Sequence, residues 1–179
     1  WTSYFSEKGW ECLVLDVDLP PDTRSPATTG EQVLKALERE MVKTLRKAPG
    51  GTPFPPVLIS RGWLSGLVAQ EYASSHSLSA LCLLDPAISS AQAHAEHTDI
   101  LPTEVEEPNF EPRFPLRVVW SAAEIEAQKK QGVSWMEVHR IEHELEEESG
   151  ESLDRVVWSD PDEQGPKDMQ QWLEDEVGL

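Results

Sequence analysis

Pro56-Val-Leu-Ile-Ser-Arg-Gly-Trp-Leu-Ser-Gly-Leu-Val-Ala-Gln-Glu-Tyr72 is the stretch that decides the fold. Val57-Leu-Ile59 is a short apolar run, which suits a strand buried on both faces of a sheet. Leu67, Val68 and Tyr72 then recur at helical spacing and predict a helix over residues 66–75, entered through Gly62 and Ser65. Few residues separate the two elements. A strand that turns straight into a helix places its turn at the carboxyl end of the strand, where parallel α/β sheets carry their sites.

The same alternation continues in both directions. Upstream, Cys12-Leu-Val-Leu-Asp-Val-Asp18 reads as another continuous apolar strand, after a short helix over residues 2–8 closed by Gly9. A Pro/Thr/Ser-rich loop over 20–30 leads to a helix over 31–47, where Val33, Leu34, Leu37, Met41, Val42 and Leu45 form one apolar face. Downstream, Leu81-Cys-Leu-Leu84 is a strand stopped by Asp85-Pro86, and residues 87–115 begin helically and become a Pro/Glu-rich loop. Leu116-Arg-Val-Val-Trp120 and Leu153-Asp-Arg-Val-Val-Trp158 read as two further strands. Between them the pattern predicts a helix over 135–148, and a closing helix over 167–177 carries Met169, Trp172 and Leu173 on one face. Five strands alternating with helices predict an α/β fold: a mainly parallel sheet with helices on both faces, in one domain spanning residues 1–179.

Composition narrows the function. Lys and Arg number 15 against 33 Asp and Glu, giving a net charge of −18. Residues 1–60 are nearly balanced, with seven basic and eight acidic side chains, whereas 61–179 carry eight and twenty-five. Such a surface repels phosphate backbones, so the chain is not expected to bind nucleic acid. Solubility is the simple explanation of the charge, and docking onto another protein the sharper one. The longest apolar run, over 78–84, is too short to span a membrane. Cys12 and Cys82 both sit in apolar runs and read as core residues of an intracellular protein, cytoplasmic or mitochondrial, without a disulfide.

The stretch quoted first resembles the strand–elbow–helix of α/β-hydrolases, in which a strand ends in G-x-S-x-G and the helix often continues Gly-Leu-Val-Ala-Gln. The resemblance extends over nearly the whole chain and implies that the family's first strands and one oxyanion-forming loop are missing or trimmed before Trp1. Anchoring on Gly66-Leu-Val-Ala-Gln70 lays Arg61, Gly62, Trp63, Leu64 and Ser65 over the motif, so Trp63 takes the nucleophile's position. Indole has no nucleophilic oxygen or sulfur. Arg61 in place of a glycine implies a relaxed elbow. Shifted registers would offer Ser65 or Ser60, flanked by larger neighbours than the tight turn favours. The family's acid would follow the strand over 116–120, where Glu124 stands as a candidate or as a solvated helix-start carboxylate. Its histidine would follow Trp158, yet Ser159-Asp-Pro-Asp-Glu-Gln-Gly-Pro166 contains none.

The expectation is therefore a non-catalytic, hydrolase-like binding or scaffold subunit whose partner is another protein. Two alternatives stand beside it: a serine esterase or thioesterase using Ser65, and a protein that binds a small apolar ligand in the old substrate pocket, with Trp63 on its wall. No motif calls for a cofactor. His139 and His143, at i and i+4 on a helix, have zinc-binding spacing but lack the flanking Glu of a zinc-protease helix. His94 and His97 fall in the irregular region, and His76 reads as a cap after the elbow helix.

Overall fold

The computed structural model describes residues 1–19, 28–48, 54–132 and 154–179. The described elements run α1 (Thr2–Glu7), α2 (Gly30–Lys47), β1 (Val57–Arg61), α3 (Trp63–Ala73), β2 (Ala80–Leu84), α4 (Ser90–Glu96), β3 (Leu116–Ser121), α5 (Ala122–Lys130), β4 (Asp154–Trp158) and α6 (Gly165–Trp172), which continues as a π-turn over Leu173–Val177. The sheet is parallel throughout, in the order β1-β2-β3-β4, with Val57 opposite Ala80, Leu81 opposite Leu116 and Arg117 opposite Asp154. The chain is thus α/β, with a parallel sheet covered on both faces.

Side chains of β2 alternate between two apolar clusters, as the two-residue period of a strand requires. Leu81 and Leu83 join Leu116, Val118 and Trp120 under α2, α3 and α4; Ala80, Cys82 and Leu84 join Val119, Trp158 and Phe5 under α1 and α6. Every residue of β2 and β3 is buried. Helix α2 presents Val33, Leu34, Leu37, Met41 and Leu45 to the first cluster. It starts with a complete capping box: Gln32 N–H donates to the Thr29 hydroxyl, and Thr29 N–H donates to Gln32 Oε1. Gly30 at its first turn is buried, and a Cβ there would collide with the Thr103 carbonyl oxygen.

The structure departs from the sequence reading in one element with large consequences. Residues 12–18 are not a strand. Cys12 is exposed rather than in the core, Leu13 and Val14 are 46% and 70% exposed, and only Leu15, Val17 and Leu19 pack partly against the first cluster. Strand propensity alone does not make a strand: residues 12–18 have no hydrogen-bonded neighbour in the sheet. Among the described residues β1, whose composition reads as a central strand, therefore stands at the sheet edge. Its residues are half-buried or exposed except for Ser60. Helix α3 begins at Trp63, three residues before the expected start, because Gly62 makes the turn; α5 was anticipated only in the reading of Glu124 as a helix-start carboxylate, without a range. The helix expected over 135–148, with His139 and His143, lies outside the described residues.

Candidate functional site

The turn after β1 is sharp rather than relaxed. Gly62 takes φ 95° and ψ 168°, a backbone region essentially confined to glycine, and serves as the N-cap of α3. Its N–H still donates to the Leu84 carbonyl at 2.8 Å, so pairing with β2 continues up to the turn. The strained residue is Gly62, not Trp63, and Arg61 needs no special conformation. Gly66 brings α3 close to the next crossover, where a Cβ would sit 3.3 Å from Pro86 Cβ.

Both serine hydroxyls are engaged with backbone carbonyls. The Ser65 hydroxyl donates to the carbonyl oxygen of Arg61 at 2.5 Å and to that of Gly62 at 3.2 Å, which ties it back onto the helix start. A base must accept that proton for the oxygen to attack, and among the described residues no histidine is hydrogen-bonded to it. Ser60 is buried and donates to the Cys82 carbonyl.

What gathers at the carboxyl ends of the strands is a cleft of about 380 Å³. Trp63 lines it and stacks on His97, ring centroids 4.1 Å apart and planes within 4°. Asp85, Glu96 and Glu124 bring carboxylates, and Gln92 and Gln128 amides. These groups form a continuous hydrogen-bonded rim. Asp85 Oδ1 accepts the Ser121 N–H at 2.7 Å, and Ser121 Oγ accepts the Glu124 N–H at 3.1 Å. Gln128 Nε2 donates to Glu124 Oε1, and Gln92 Nε2 donates to Gln128 Oε1 at 3.1 Å and to Glu96 Oε1 at 2.8 Å. Asp85 has φ 49°, the one described non-glycine residue with positive φ; aspartate tolerates that region better than most residues.

Arg61 also reaches the cleft, but its guanidinium is engaged: Nη1 lies 2.9 Å from Asp162 Oδ1. Asp162 belongs to the loop after β4 in which a histidine was sought. That loop therefore supplies a carboxylate to the elbow arginine. The cleft's remaining charges are mainly acidic.

Of the residues singled out from sequence, the fold brings Arg61, Gly62, Trp63 and Glu124 to the cleft wall and leaves Leu64, Ser65 and Gly66 off it. Glu124 stands in the first turn of α5, bonded to Gln128 rather than to an imidazole. His94 Nδ1 contacts the Leu101 carbonyl at 2.7 Å, away from His97's role. His76 caps α3 through its N–H, which donates to the Tyr72 carbonyl, and its ring stacks on Tyr72 and lies 3.4 Å from Glu38 on α2. Burial raises the Tyr72 phenol above its usual range, with Glu38 adding to the effect. Sequence reasoning named His97 only as a residue of the irregular region, and the fold brings it to the cleft at the end of α4; it missed Gln92 and Gln128, which reach the cleft from α4 and α5, short helices with no motif. Asp85 was legible only as the residue that stops a strand. Among the described residues no group of three or more His, Cys, Asp or Glu is arranged to hold a metal ion.

Comparison with known proteins adds no name to this geometry: no family model, curated protein or solved structure matches the chain.

Proposed function

We propose that the chain is a non-catalytic, α/β-hydrolase-like binding protein, and that it holds a small ligand in the cleft beside Trp63. The observation that carries this reading is the elbow itself. Trp63 stands where the resemblance puts a nucleophile and faces the cleft stacked on His97, while the nearby Ser65 hydroxyl is spent on backbone carbonyls. Acyl transfer needs an activated nucleophile and a base within hydrogen-bond reach. Binding needs a concave site with an aromatic wall and convergent polar groups.

The lining favours a polar ligand over the purely apolar one. Asp85, Glu96 and Glu124 offer acceptors, and the cleft's one arginine is already paired with Asp162. A flat ring carrying an amine fits both the indole and the carboxylates. Benzylamine and benzoate, which share a ring and differ in charge, test this directly. Benzylamine at ten times its dissociation constant stabilises by about 1.4 kcal/mol, a thermal shift of a few degrees for a chain of this size. Trp63→Ala removes the shift. Equal shifts from benzoate and benzylamine, or a benzylamine shift that survives Trp63→Ala, contradict the assignment of the ligand to this cleft.

A further inference from the structure

Arg61 stands among the cleft's acids and is held loosely. It ends β1, and its partner Asp162 lies in the loop after β4. β2 and β3 separate those two strands in the sheet. To meet Asp162, the Arg61 side chain therefore extends across the carboxyl ends of the inner strands, where Asp85 follows β2 and Glu124 follows β3. One guanidinium nitrogen, Nη1, makes the bond at 2.9 Å, and the two side chains are 54% and 70% exposed. An ion pair so open to water contributes little, and Asp162 is already largely hydrated when released. A carboxylate that meets a guanidinium edge-on makes two parallel bonds and holds it better.

The rest of the cleft wall calls for a donor. Gln92 Nε2 donates to Glu96 Oε1 and to Gln128 Oε1, and two acceptors on that side fix the orientation of the amide. Its Oε1 is then buried, with no hydrogen-bond partner among the described residues. A buried acceptor left open in a cleft wall needs an explanation, and a ligand N–H is one. Asp85 and Glu124 each commit one carboxylate oxygen to the protein, Asp85 Oδ1 to the Ser121 N–H and Glu124 Oε1 to the Gln128 amide. A carboxylate has a second oxygen to offer, and an ammonium has three N–H groups to fill such acceptors.

Resting on the binding role proposed for this cleft, we infer that its ligand is an aromatic α-amino acid. The ring extends the Trp63–His97 stack. The ammonium lies among Asp85, Glu124 and Gln92, and the carboxylate takes the place of Asp162 on Arg61. Amine and acid are neighbours in such a ligand because Arg61 lies across the strand ends that carry the acids. A zwitterion adds no net charge to an acidic cleft. Size agrees: the cleft holds about 380 Å³, near the lower end of ligand sites of about 300–1,000 Å³, which suits one ring and its headgroup.

Titration calorimetry with phenylalanine, phenethylamine and 3-phenylpropionate tests this. All three share the ring and its chain; the second lacks the acid and the third the amine. Phenylalanine is expected to bind about tenfold more tightly than phenethylamine, and 3-phenylpropionate most weakly. Damage to the fold or to the ring site lowers the first two affinities together, so their ratio reports the contact between Arg61 and the acid. Arg61→Met brings the ratio to about one, and Asp162→Asn, which frees Arg61, raises it by about threefold more. Equal affinities on the parent chain, or a ratio that Arg61→Met leaves unchanged, overturn the amino-acid assignment while the amine-binding cleft stands. A ratio lowered by Asp162→Asn also overturns it, since Asp162 would then be the ligand's partner rather than its competitor. Binding of neither phenylalanine nor phenethylamine overturns both the assignment and the binding role of the cleft.

Discussion

At the scale of single residues, the elbow turns on Gly62. A Cβ at this position meets no atom within 4 Å, so space does not restrict it; the backbone does, at φ 95°. Gly62→Ala is therefore expected to destabilise the protein by about 1–3 kcal/mol through strain alone. Urea unfolding measures it, and an unchanged midpoint would mean that the turn is softer than described. Gly62 also shows what a sequence does and does not reveal. The glycine and the strand-to-helix turn were visible, and so was Trp63 at the position where the resemblance expects a serine. The position of the strained turn, one residue earlier than the motif implies, was not. That depends on Gly62 remaining paired to Leu84 before the helix starts.

At the scale of elements, local pattern was a reliable guide wherever an element's partners are close in sequence. The apolar face of α2 and its Thr29–Gln32 cap follow from residues within one helix. β2 follows from an unbroken apolar run, and β3 from one interrupted only by Arg117. Residues 12–18 have the same apolar character and are not a strand, because pairing is a property of two segments and only one of them is in the pattern. Helix α5 was legible only through Glu124 as a helix-start carboxylate, because its apolar content is slight: of its nine residues only Ile125 and Gln128 are buried. Arg117 is the reverse case, a buried charge inside a fully buried strand. It pairs with Asp168 of α6, Nη1 to Oδ2 at 3.1 Å, while Trp158 Nε1 donates to the same oxygen at 2.8 Å and Trp172 lies 5.5 Å from the guanidinium carbon. This knot fastens α6 to the sheet. Asp168→Ala removes the carboxylate shared by the buried Arg117 and the Trp158 N–H, leaving Arg117 its weaker bond to the backbone carbonyl of residue 168, and is expected to cost about 1.5–3 kcal/mol. Arg117→Met removes the charge itself and should cost less. Urea midpoints in the opposite order would show that Arg117 finds sufficient partners without Asp168.

At the scale of the whole molecule, charge dominates. A net charge of −18 on 179 residues sets up self-repulsion in the compact state. Raising salt from about 0.01 M to about 0.1 M shortens the screening length from about 30 Å to about 10 Å. The thermal midpoint is accordingly expected to rise over that range; a fall would mean that exposed pairs such as Lys35–Glu31 and Arg61–Asp162 outweigh the repulsion. No described helix is long and apolar enough to cross a membrane. The sheet, the two clusters and the cleft at the strand ends give the fold a site of the usual α/β kind. The turn where the resemblance expects a nucleophile carries an indole. Intact-mass spectrometry after exposure to a fluorophosphonate tests this most directly. The proposed non-catalytic role predicts no adduct on the parent chain and none on Ser65→Ala. A stoichiometric adduct on the parent chain that disappears in Ser65→Ala would contradict it and return the chain to the serine hydrolases.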